Sequence, residues 1–366
     1  MRRVLFAGRM RYTSPLAVTQ AHKFEALGNV IDYRVIGSSA DGNTPPDRFV
    51  LLRRLPLDGP LFYARLPFAI ARELRSFKPD AVIAQSPYEA IAALAGRRMS
   101  GVRTKVIVEI HGDWHTATRL YGSSLRSTLA PFADRAAAWS VRHVDAVRTV
   151  SEFTAGLVRK VGVEPVAIFQ AYTETDAFTA SPPVPLPEQA HYAFVGVLER
   201  YKNIDGLAAA WRIAAPQLPG VTLELVGDGP RVAVVEQLLR DVSEQTVWHR
   251  RKSPAELSEL FDRSWALVLP SFSEGLPRVV IEVLARGRPV VGSRAGGIPN
   301  AITDGDNGLL VPPGDAQALA DALVRVATDR ALAEKLAARA QPSGEVLLVS
   351  PEEYARRVAR LVEDVL

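Results

Sequence analysis

Cysteine is absent from the 366-residue chain. Without thiols the protein has no disulfide, no thiolate metal site and no cysteine nucleophile. The sequence also lacks an uncharged apolar run of about 18 residues, which a membrane-spanning helix would need. A strand-like apolar segment at residues 4–7 starts almost at the N-terminus and leaves no room for a cleavable signal. We therefore expect a cytoplasmic protein.

Three motifs of common enzyme classes are missing as well. The first predicted strand is followed by Gly8-Arg9-Met10-Arg11, which has one glycine instead of the G-x-G-x-x-G of dinucleotide-binding proteins. The G-x-x-x-x-G-K-S/T loop that cradles ATP phosphates does not occur, and neither does the G-x-S-x-G nucleophile elbow. Hydride transfer, ATP hydrolysis and serine-esterase chemistry therefore have no motif to support them.

Positive charge is concentrated in the first half of the chain. Residues 1–178 hold 24 Lys and Arg against 16 Asp and Glu, a net charge of +8, whereas the rest of the chain carries −4. Such a basic half could bind nucleic acid, anionic lipid or a phosphorylated acceptor, but solvated helix faces of an arginine-rich chain are the simpler explanation. Residues 61–75 mix bulky apolar residues with arginines, as helices at membrane surfaces do. A peripheral contact with the inner membrane face stays open, and nucleic-acid binding is not expected.

Short apolar runs alternate with amphipathic helical patterns along the whole chain. The predicted strands cover residues 4–7, 81–84, 106–110, 146–150, 192–195, 222–226, 266–269 and 289–292. A Pro-rich stretch at residues 180–187 divides them into two sets, because it can form neither a helix nor a central strand. The pattern predicts an α/β protein with two Rossmann-like, doubly wound parallel sheets, whose ligands bind at the carboxyl ends of the strands.

This alternation divides the chain into four segments. They are an N-terminal domain at residues 1–178, a Pro-rich linker at 179–189, a C-terminal domain at 190–347 and a final helix within 348–366. The final helix is predicted to be capped by Ser350 and to open at Pro351.

The C-terminal domain carries the residues best suited to a nucleotide sugar. Glu274 lies in the loop after the strand at 266–269, and Glu282 lies on the helix that Pro277 is predicted to open. Two carboxylates at this spacing suit the recognition of vicinal hydroxyl groups, and the helix start between them favours a phosphate. Lys202 and Arg200, which follow the strand at 192–195, supply cations for a diphosphate. The candidate nucleotide-binding residues are Arg200, Lys202, Gly275, Leu276, Pro277, Arg278, Val279 and Glu282.

At these residues the sequence resembles the retaining GT-B glycosyltransferases of family 4, the group 1 glycosyl transferases. The resemblance covers residues 190–330 and includes the Glu-x7-Glu spacing within 273–282, followed by further motifs at 288–299 and 304–315. In the first half, His111-Gly112-Asp113 looks like the histidine-bearing loop of this family.

The resemblance implies a GT-B fold, in which two domains face a cleft, and a role for four residues. Lys202 would bind the donor diphosphate, Glu282 the nucleotide ribose and Glu274 the transferred sugar. His111 would contact the primary hydroxyl of that sugar, so the candidate catalytic residues are His111, Lys202 and Glu274. The final helix would cross back to the first domain.

The function implied is retaining transfer of a hexose-type sugar from a nucleotide diphosphate sugar, such as a UDP- or GDP-sugar. The acceptor would be a glycan, a lipid-linked molecule or a small molecule. No cofactor or metal is expected, because lysine, arginine and the helix N-terminus can stabilise the departing diphosphate. A non-catalytic nucleotide-sugar-binding or scaffold protein and a GT-B sugar-nucleotide epimerase remain as alternatives.

Overall fold

A computed structural model describes residues 1–40, 47–53, 58–120 and 124–366. The chain forms two compact units. Unit 1 comprises Met1–His115, Ser127–Glu174 and Val349–Leu366, and unit 2 comprises Thr116–Arg126 and Thr175–Leu348.

In its described part, unit 1 forms a parallel sheet of seven strands. The strands are β1 (Arg3–Tyr12), β2 (Asp32–Ser39), β3 (Phe49–Leu52), β4 (Ala81–Ala84), β5 (Lys105–Ile110), β6 (Ala146–Thr149) and β7 (Ala167–Ile168). Their order in the sheet is β3-β2-β1-β4-β5-β6-β7. The helices along this part of the chain are α1 (Val18–Gly28), α2 (Asp58–Phe77), α3 (Pro87–Ser100), α4 (Trp114–Leu120), α5 (Ser124–His143) and α6 (Glu152–Lys160).

Unit 2 contains a second parallel sheet, of six strands in its described part. The strands are β8 (His191–Val195), β9 (Thr222–Val226), β10 (Thr246–His249), β11 (Ala266–Leu269), β12 (Val290–Ser293) and β13 (Gly308–Val311), in the order β10-β9-β8-β11-β12-β13. The remaining helices are α7 (Asp176–Thr179), α8 (Ile204–Ala214), α9 (Val232–Asp241), α10 (Pro254–Asp262), α11 (Arg278–Ala285), α12 (Ala316–Thr328), α13 (Arg330–Glu345) and α14 (Pro351–Val365). The last of these, α14, belongs to unit 1, where it packs against α1.

Both faces of the unit 1 sheet are covered by helices, which explains why its central strands are continuous apolar runs. On β4, Val82 points into the cluster formed with α2, α3, α5 and α6, where it joins Leu66. Its neighbour Ile83 points to the opposite face and joins Phe24 of α1 and Tyr354 of α14. Alternate side chains of one strand therefore pack into two separate hydrophobic cores.

The segment predicted as a linker is fixed to unit 2 by two buried arginines. Arg286 donates a hydrogen bond to the carbonyl of Ser181 at 2.7 Å, and Arg288 donates one to the carbonyl of Val184 at 2.8 Å. Extended Pro-rich backbone has carbonyl groups with no ladder partner, and the guanidinium groups satisfy them. Residues 179–189 thus lie within unit 2.

The predicted fold class is confirmed. The strands predicted at residues 81–84, 222–226 and 266–269 have those bounds, and the strand predicted at 289–292 lies one residue later. β1 and β8 are the first strands of their sheets along the chain, and in the sheet each lies between two strands that come later in the sequence. The order therefore reverses there, and in such sheets ligands bind beside that point, at the carboxyl ends of the strands. None of the described helices combines the length and the apolar composition that crossing a membrane requires.

Candidate functional site

Lys202 is held at the carboxyl end of β8 by a short turn. A 3₁₀ turn at Arg200–Lys202 follows the strand, and Asn203 then begins α8 by accepting a hydrogen bond from the Gly206 amide at 3.1 Å. This turn leaves the Lys202 residue only 7% exposed. Its Nζ donates a hydrogen bond to Oε1 of Glu274, in the loop after β11, at 2.6 Å. A buried ammonium requires such a charged partner, because desolvation alone would disfavour its charge.

Glu274 lies in the loop after β11 and is held there by hydrogen bonds with Lys202, Ser271 and Gly297. Ser271 Oγ donates a second hydrogen bond to Oε1 at 2.8 Å, and the Gly297 amide donates to the Glu274 carbonyl at 2.8 Å. The Phe272 amide donates to the Tyr201 carbonyl at 2.7 Å, which ties this loop to the turn that carries Lys202. Within the described residues, Oε2 of Glu274 accepts no hydrogen bond. One carboxylate oxygen is therefore fixed, and the other keeps its capacity for a ligand.

Gly297 explains why two glycines follow β12. A Cβ placed on Gly297 would lie 1.7 Å from the carbonyl oxygen of Gly275, so no side chain fits there. The preceding Gly296 has a φ of 57°, a left-handed conformation that glycine adopts without strain. The pair lets the backbone approach closely enough to bond the Glu274 carbonyl.

Helix α11 presents an open N-terminus at the same edge of the sheet. It begins at Arg278 after Pro277, whose ring nitrogen carries no hydrogen to donate. The Val280 amide donates to the Pro277 carbonyl at 3.1 Å. Among the residues that the structure describes, none accepts a hydrogen bond from the amides of Arg278 and Val279. Unpaired amides and the positive end of the helix dipole together favour an anion.

Glu282 lies one helical turn beyond Arg278 on α11. Burial raises the pKa of its carboxyl group above the usual value, and the positive charge of Arg278 acts in the opposite direction. The carboxylate accepts no hydrogen bond from any residue that the structure describes. A partly buried carboxylate with free acceptor capacity is suited to bind hydroxyl groups of a ligand.

The structure thus brings Lys202 and Glu274 into direct contact and places the other predicted nucleotide-binding residues on the loops and helix around them. Arg200 is exposed two residues before Lys202, and its carbonyl accepts from the Asn203 amide at 3.0 Å. Gly275, Leu276 and Pro277 form the link between Glu274 and α11.

His111 belongs to unit 1, where it follows β5. Its Nε2 lies 3.2 Å from Oε2 of Glu109, and Oε1 of Glu109 accepts from Arg148 on β6 at 2.8 Å. Burial would raise the pKa of Glu109, but the charge of Arg148, the hydrogen bond from His111 and the charge of Lys23 outweigh it and hold the pKa well below its usual range. Sequence reasoning missed Glu109 and Arg148. The sequence does contain a sign of both residues, because Glu109 and Arg148 are charged residues within the largely apolar strands β5 and β6.

A second missed carboxylate, Glu224, lies in the middle of β9 in unit 2. Four basic side chains surround it: Arg263 at 2.7 Å, Lys252 and His249 at 3.3 Å each, and His191 at 3.5 Å. Burial raises its pKa, but the proximity of His191, the hydrogen bonds and charge of Arg263 and the proximity of Lys252 bring the pKa down to about 2. The pairing with Lys252 fixes the loop that follows β10. Here too the signal was an acid within an apolar strand.

Two family comparisons account for most of the chain. Residues 181–342 match the family described as glycosyl transferases group 1, and residues 18–170 match the glycosyl transferase 4-like domain. N-acetyl-alpha-D-glucosaminyl L-malate synthase of Bacillus anthracis is 26% identical over 264 residues, which cover 69% of this chain and 66% of that protein. D-inositol 3-phosphate glycosyltransferase of Corynebacterium aurimucosum is 32% identical over 145 residues, or 37% of this chain and 34% of that protein. The matched regions span less than two thirds of these relatives.

Solved structures are similar over the entire chain. Sucrose-phosphate synthase of Thermosynechococcus elongatus superimposes with a TM-score of 0.81 at 20% identity and covers 100% of this chain and 99% of its own. Anabaena HepE in complex with UDP superimposes with a TM-score of 0.74 at 16% identity and covers 100% of both chains. At these identities the likeness establishes the GT-B fold. With the family matches in both halves, it follows that the chain belongs to the group 1 glycosyltransferases.

Proposed function

We propose that this protein is a retaining glycosyltransferase that moves a hexose-type sugar from a nucleoside diphosphate sugar to an acceptor without a metal ion. One observation carries the proposal. The ion pair of buried Lys202 with partly buried Glu274 lies at the carboxyl edge of the unit 2 sheet, beside the open start of α11.

The diphosphate of the donor would bind to the positive groups of this edge. The Lys202 ammonium has three donors, and Glu274 takes one of them. The amides of Arg278 and Val279 and the exposed guanidinium of Arg200 add further positive charge. Because the protein supplies these charges itself, no metal is needed to balance the leaving diphosphate.

The hydroxyl groups of the donor would bind to the two carboxylates. Glu282 would accept hydrogen bonds from the nucleotide ribose, and Oε2 of Glu274 would accept them from the transferred sugar. Glu274 is well placed for a precise contact, because Ser271 and Lys202 already fix its other oxygen. His111, in unit 1, would contact the primary hydroxyl of the sugar.

In the reaction, the bond between the anomeric carbon and the diphosphate oxygen breaks, and the electron pair leaves with the diphosphate. Lys202 and the α11 amides stabilise the negative charge that grows on that oxygen. The acceptor hydroxyl forms the new bond on the same face of the sugar and gives its proton to the departing phosphate. Attack on the face that the leaving group vacates retains the anomeric configuration.

The named relatives suggest where to look for substrates. HepE has been solved with UDP-glucose, so UDP-sugars are the first donors to test. The relatives named for L-malate and for inositol 3-phosphate favour a small polar acceptor. Glycans and lipid-linked molecules remain acceptors for the same assay.

The experiment is a comparison of turnover between the wild type and Lys202→Ala. Released nucleoside diphosphate is measured with each donor, first in water alone and then with acceptors. Loss of one preorganised charge donor costs about 3–4 kcal/mol in the transition state, so turnover should fall roughly 100- to 1,000-fold. Arg251→Ala, which removes an exposed cation from the loop after β10, is the matched control and should keep its activity.

Near-full turnover by a folded Lys202→Ala variant would refute the proposal. The same assay separates the alternatives. A binding or scaffold protein would bind the donor without releasing nucleoside diphosphate, and an epimerase would change the sugar while it remains on the nucleotide.

A further inference from the structure

The outer side of α2 in unit 1 carries an unusual stripe of residues. Leu61, Arg65, Phe68, Arg72 and Arg75 recur at intervals of three and four residues, so they share one face of the helix. The opposite face holds the buried core residues, such as Leu66 and Ile70. Phe68 is 65% exposed, which is a large exposed area for a phenylalanine.

Helix α5 repeats the same pattern. Phe132, Arg135, Trp139 and Arg142 recur at intervals of three and four residues on its outer side. Phe132 is 67% exposed and Trp139 is 46% exposed. The Trp139 ring stacks on His143, one turn later, with a centroid distance of 4.5 Å. An aromatic and cationic stripe thus occurs on two helices of one unit.

The two stripes point to the same side of unit 1, because α2, α3 and α5 form one layer over the sheet. Helices α2 and α3 cross closely at Gly96, where a Cβ would lie 2.9 Å from the Pro67 carbonyl oxygen. Ser140 of α5 donates a buried hydrogen bond to the Pro87 carbonyl of α3 at 2.8 Å. All three helices contribute to the same core cluster beneath them. We call their outer surface the helical face.

On these three helices the described acidic side chains are buried, whereas the exposed charged side chains are basic. The acids Glu73, Glu89 and Asp134 are only 3%, 4% and 9% exposed. Each faces a partner within the unit, as Glu73 does with Arg34 at 2.6 Å. The exposed charged side chains described on α2, α3 and α5 are basic: Arg72, Arg75, Arg98, Arg135, Arg142 and His143. Among the side chains that the structure describes on these helices, no exposed acid balances this positive charge.

We infer that the helical face of unit 1 docks on the surface of an anionic phospholipid bilayer. Phe68, Phe132 and Trp139 would enter the boundary between headgroups and acyl chains, where aromatic residues are favoured. The arginines between them would bind lipid phosphates, and each basic residue near such a surface adds to the affinity. Exposed aromatic residues among these arginines favour a membrane over duplex nucleic acid, because aromatic rings stack only on bases that have left the duplex. The inference is independent of donor chemistry.

The test is sedimentation of the full chain with lipid vesicles. Vesicles of phosphatidylcholine alone are compared with vesicles of phosphatidylcholine and phosphatidylglycerol in equal parts. We expect strong partition to the anionic vesicles only, and weaker partition as salt is added, because salt screens the attraction. The fluorescence of Trp139 should shift to the blue on binding, and Trp139→Phe should lose that shift.

Two sets of variants identify the surface. Arg98→Gln combined with Arg135→Gln should lower partition roughly 25-fold, or about fivefold for each charge. Both arginines lack a hydrogen-bond or ion-pair partner among the described residues, so their loss should leave the midpoint of unfolding unchanged. The matched control, Arg251→Gln combined with Arg325→Gln, removes two exposed arginines from unit 2 and should bind like the wild type. Phe68→Ser and Phe132→Ser should each cost roughly tenfold.

Three results would overturn the inference. They are equal partition to neutral and anionic vesicles, equal loss in the unit 1 and unit 2 arginine variants, and preference for duplex nucleic acid over anionic vesicles at the same salt concentration. Because no nucleotide sugar is present, none of these results bears on the proposed transferase activity.

Discussion

Both sheets carry a buried ion pair at their carboxyl edge, but the two pairs are bonded differently. In unit 1, Arg148 is fully buried and donates to Glu109 at 2.8 Å and to the carbonyl oxygens of Phe169 and Gln170. In unit 2, the side chains of Lys202 and Glu274 are 9% and 11% exposed, and Glu274 is the one hydrogen-bond acceptor for Lys202 among the described residues. Both terminal nitrogens of Arg148 bond within the protein and its Nε, which has no partner among the described residues, is buried, so this charge stabilises the fold. A charge that keeps part of its capacity can bind a ligand.

The same difference separates two carboxylates of unit 2. Glu224 is surrounded by basic groups that lower its pKa to about 2, whereas burial raises the pKa of Glu282. The first carboxylate is stabilised as an anion by the protein itself. The second lacks such stabilisation until hydroxyl groups of a ligand reach it.

The largest expected effect is on stability, from Arg148→Met in unit 1. This change leaves the buried Glu109 without its main partner and should lower the free energy of unfolding by about 3–5 kcal/mol. Denaturant unfolding measures the loss. The control is Arg159→Met, which breaks exposed pairs with Glu152 and Glu164 and should cost far less, because water and salt screen such pairs. Equal losses in the two variants would show that the Arg148 pair contributes no more than a surface pair.

An acid-dependent loss of stability is expected from Glu224. Its pKa is about 2 in the folded chain against 4.5 for the ordinary group, so its contribution is complete above 4.5 and is lost as the pH falls toward 2. That contribution is on the order of 3 kcal/mol. Glu224→Gln should therefore be less stable than the wild type at about pH 6 and should approach it at about pH 3. Parallel unfolding curves for the two proteins across this range would contradict the assignment, and Glu259→Gln, at an exposed site, is the control.

The smallest effect, and the most selective one, is expected from Glu282→Gln. Loss of a hydrogen bond to a charged group should weaken donor binding about tenfold. The ligand-free protein should be as stable as the wild type or slightly more stable, because burial disfavours the charged carboxylate. Calorimetric titration measures the affinity, with Glu236→Gln as the control at an exposed position of α9. A variant that loses stability but not affinity would place Glu282 among the structural charges.

The sequence predicts the buried central strands well, because strands covered on both faces must be continuous apolar runs. Ala81–Ala84 and Ala266–Leu269 show this. It does not predict Asp32–Ser39, where polar residues interrupt the run, or the edge strand Thr246–His249, where Val247 is 40% exposed. Such strands are specified by their neighbours in the sheet and not by their own hydrophobicity.

The sequence predicts the individual residues of the candidate site, but it does not predict the contact between Lys202 and Glu274. Lys202 and Glu274 are 72 positions apart, and their pairing depends on the turn after β8 and the loop after β11. Sequence reasoning assigned them to different parts of the donor, whereas the structure joins them in one ion pair. Glu109, Arg148 and Glu224 were missed because a charge within a strand reveals its role only when its partners are known.

Whether Lys202 and Glu274 form the donor site can be measured by thermal unfolding with a panel of UDP-, GDP-, ADP- and dTDP-sugars. A donor present at about 100 times its dissociation constant should add about 2.7 kcal/mol to the stability of the wild type. We expect one class of donor to produce this gain, Arg251→Ala to keep it and Lys202→Ala to lose most of it. A gain of equal size in Lys202→Ala would contradict the claim that this lysine and its glutamate partner form the donor site.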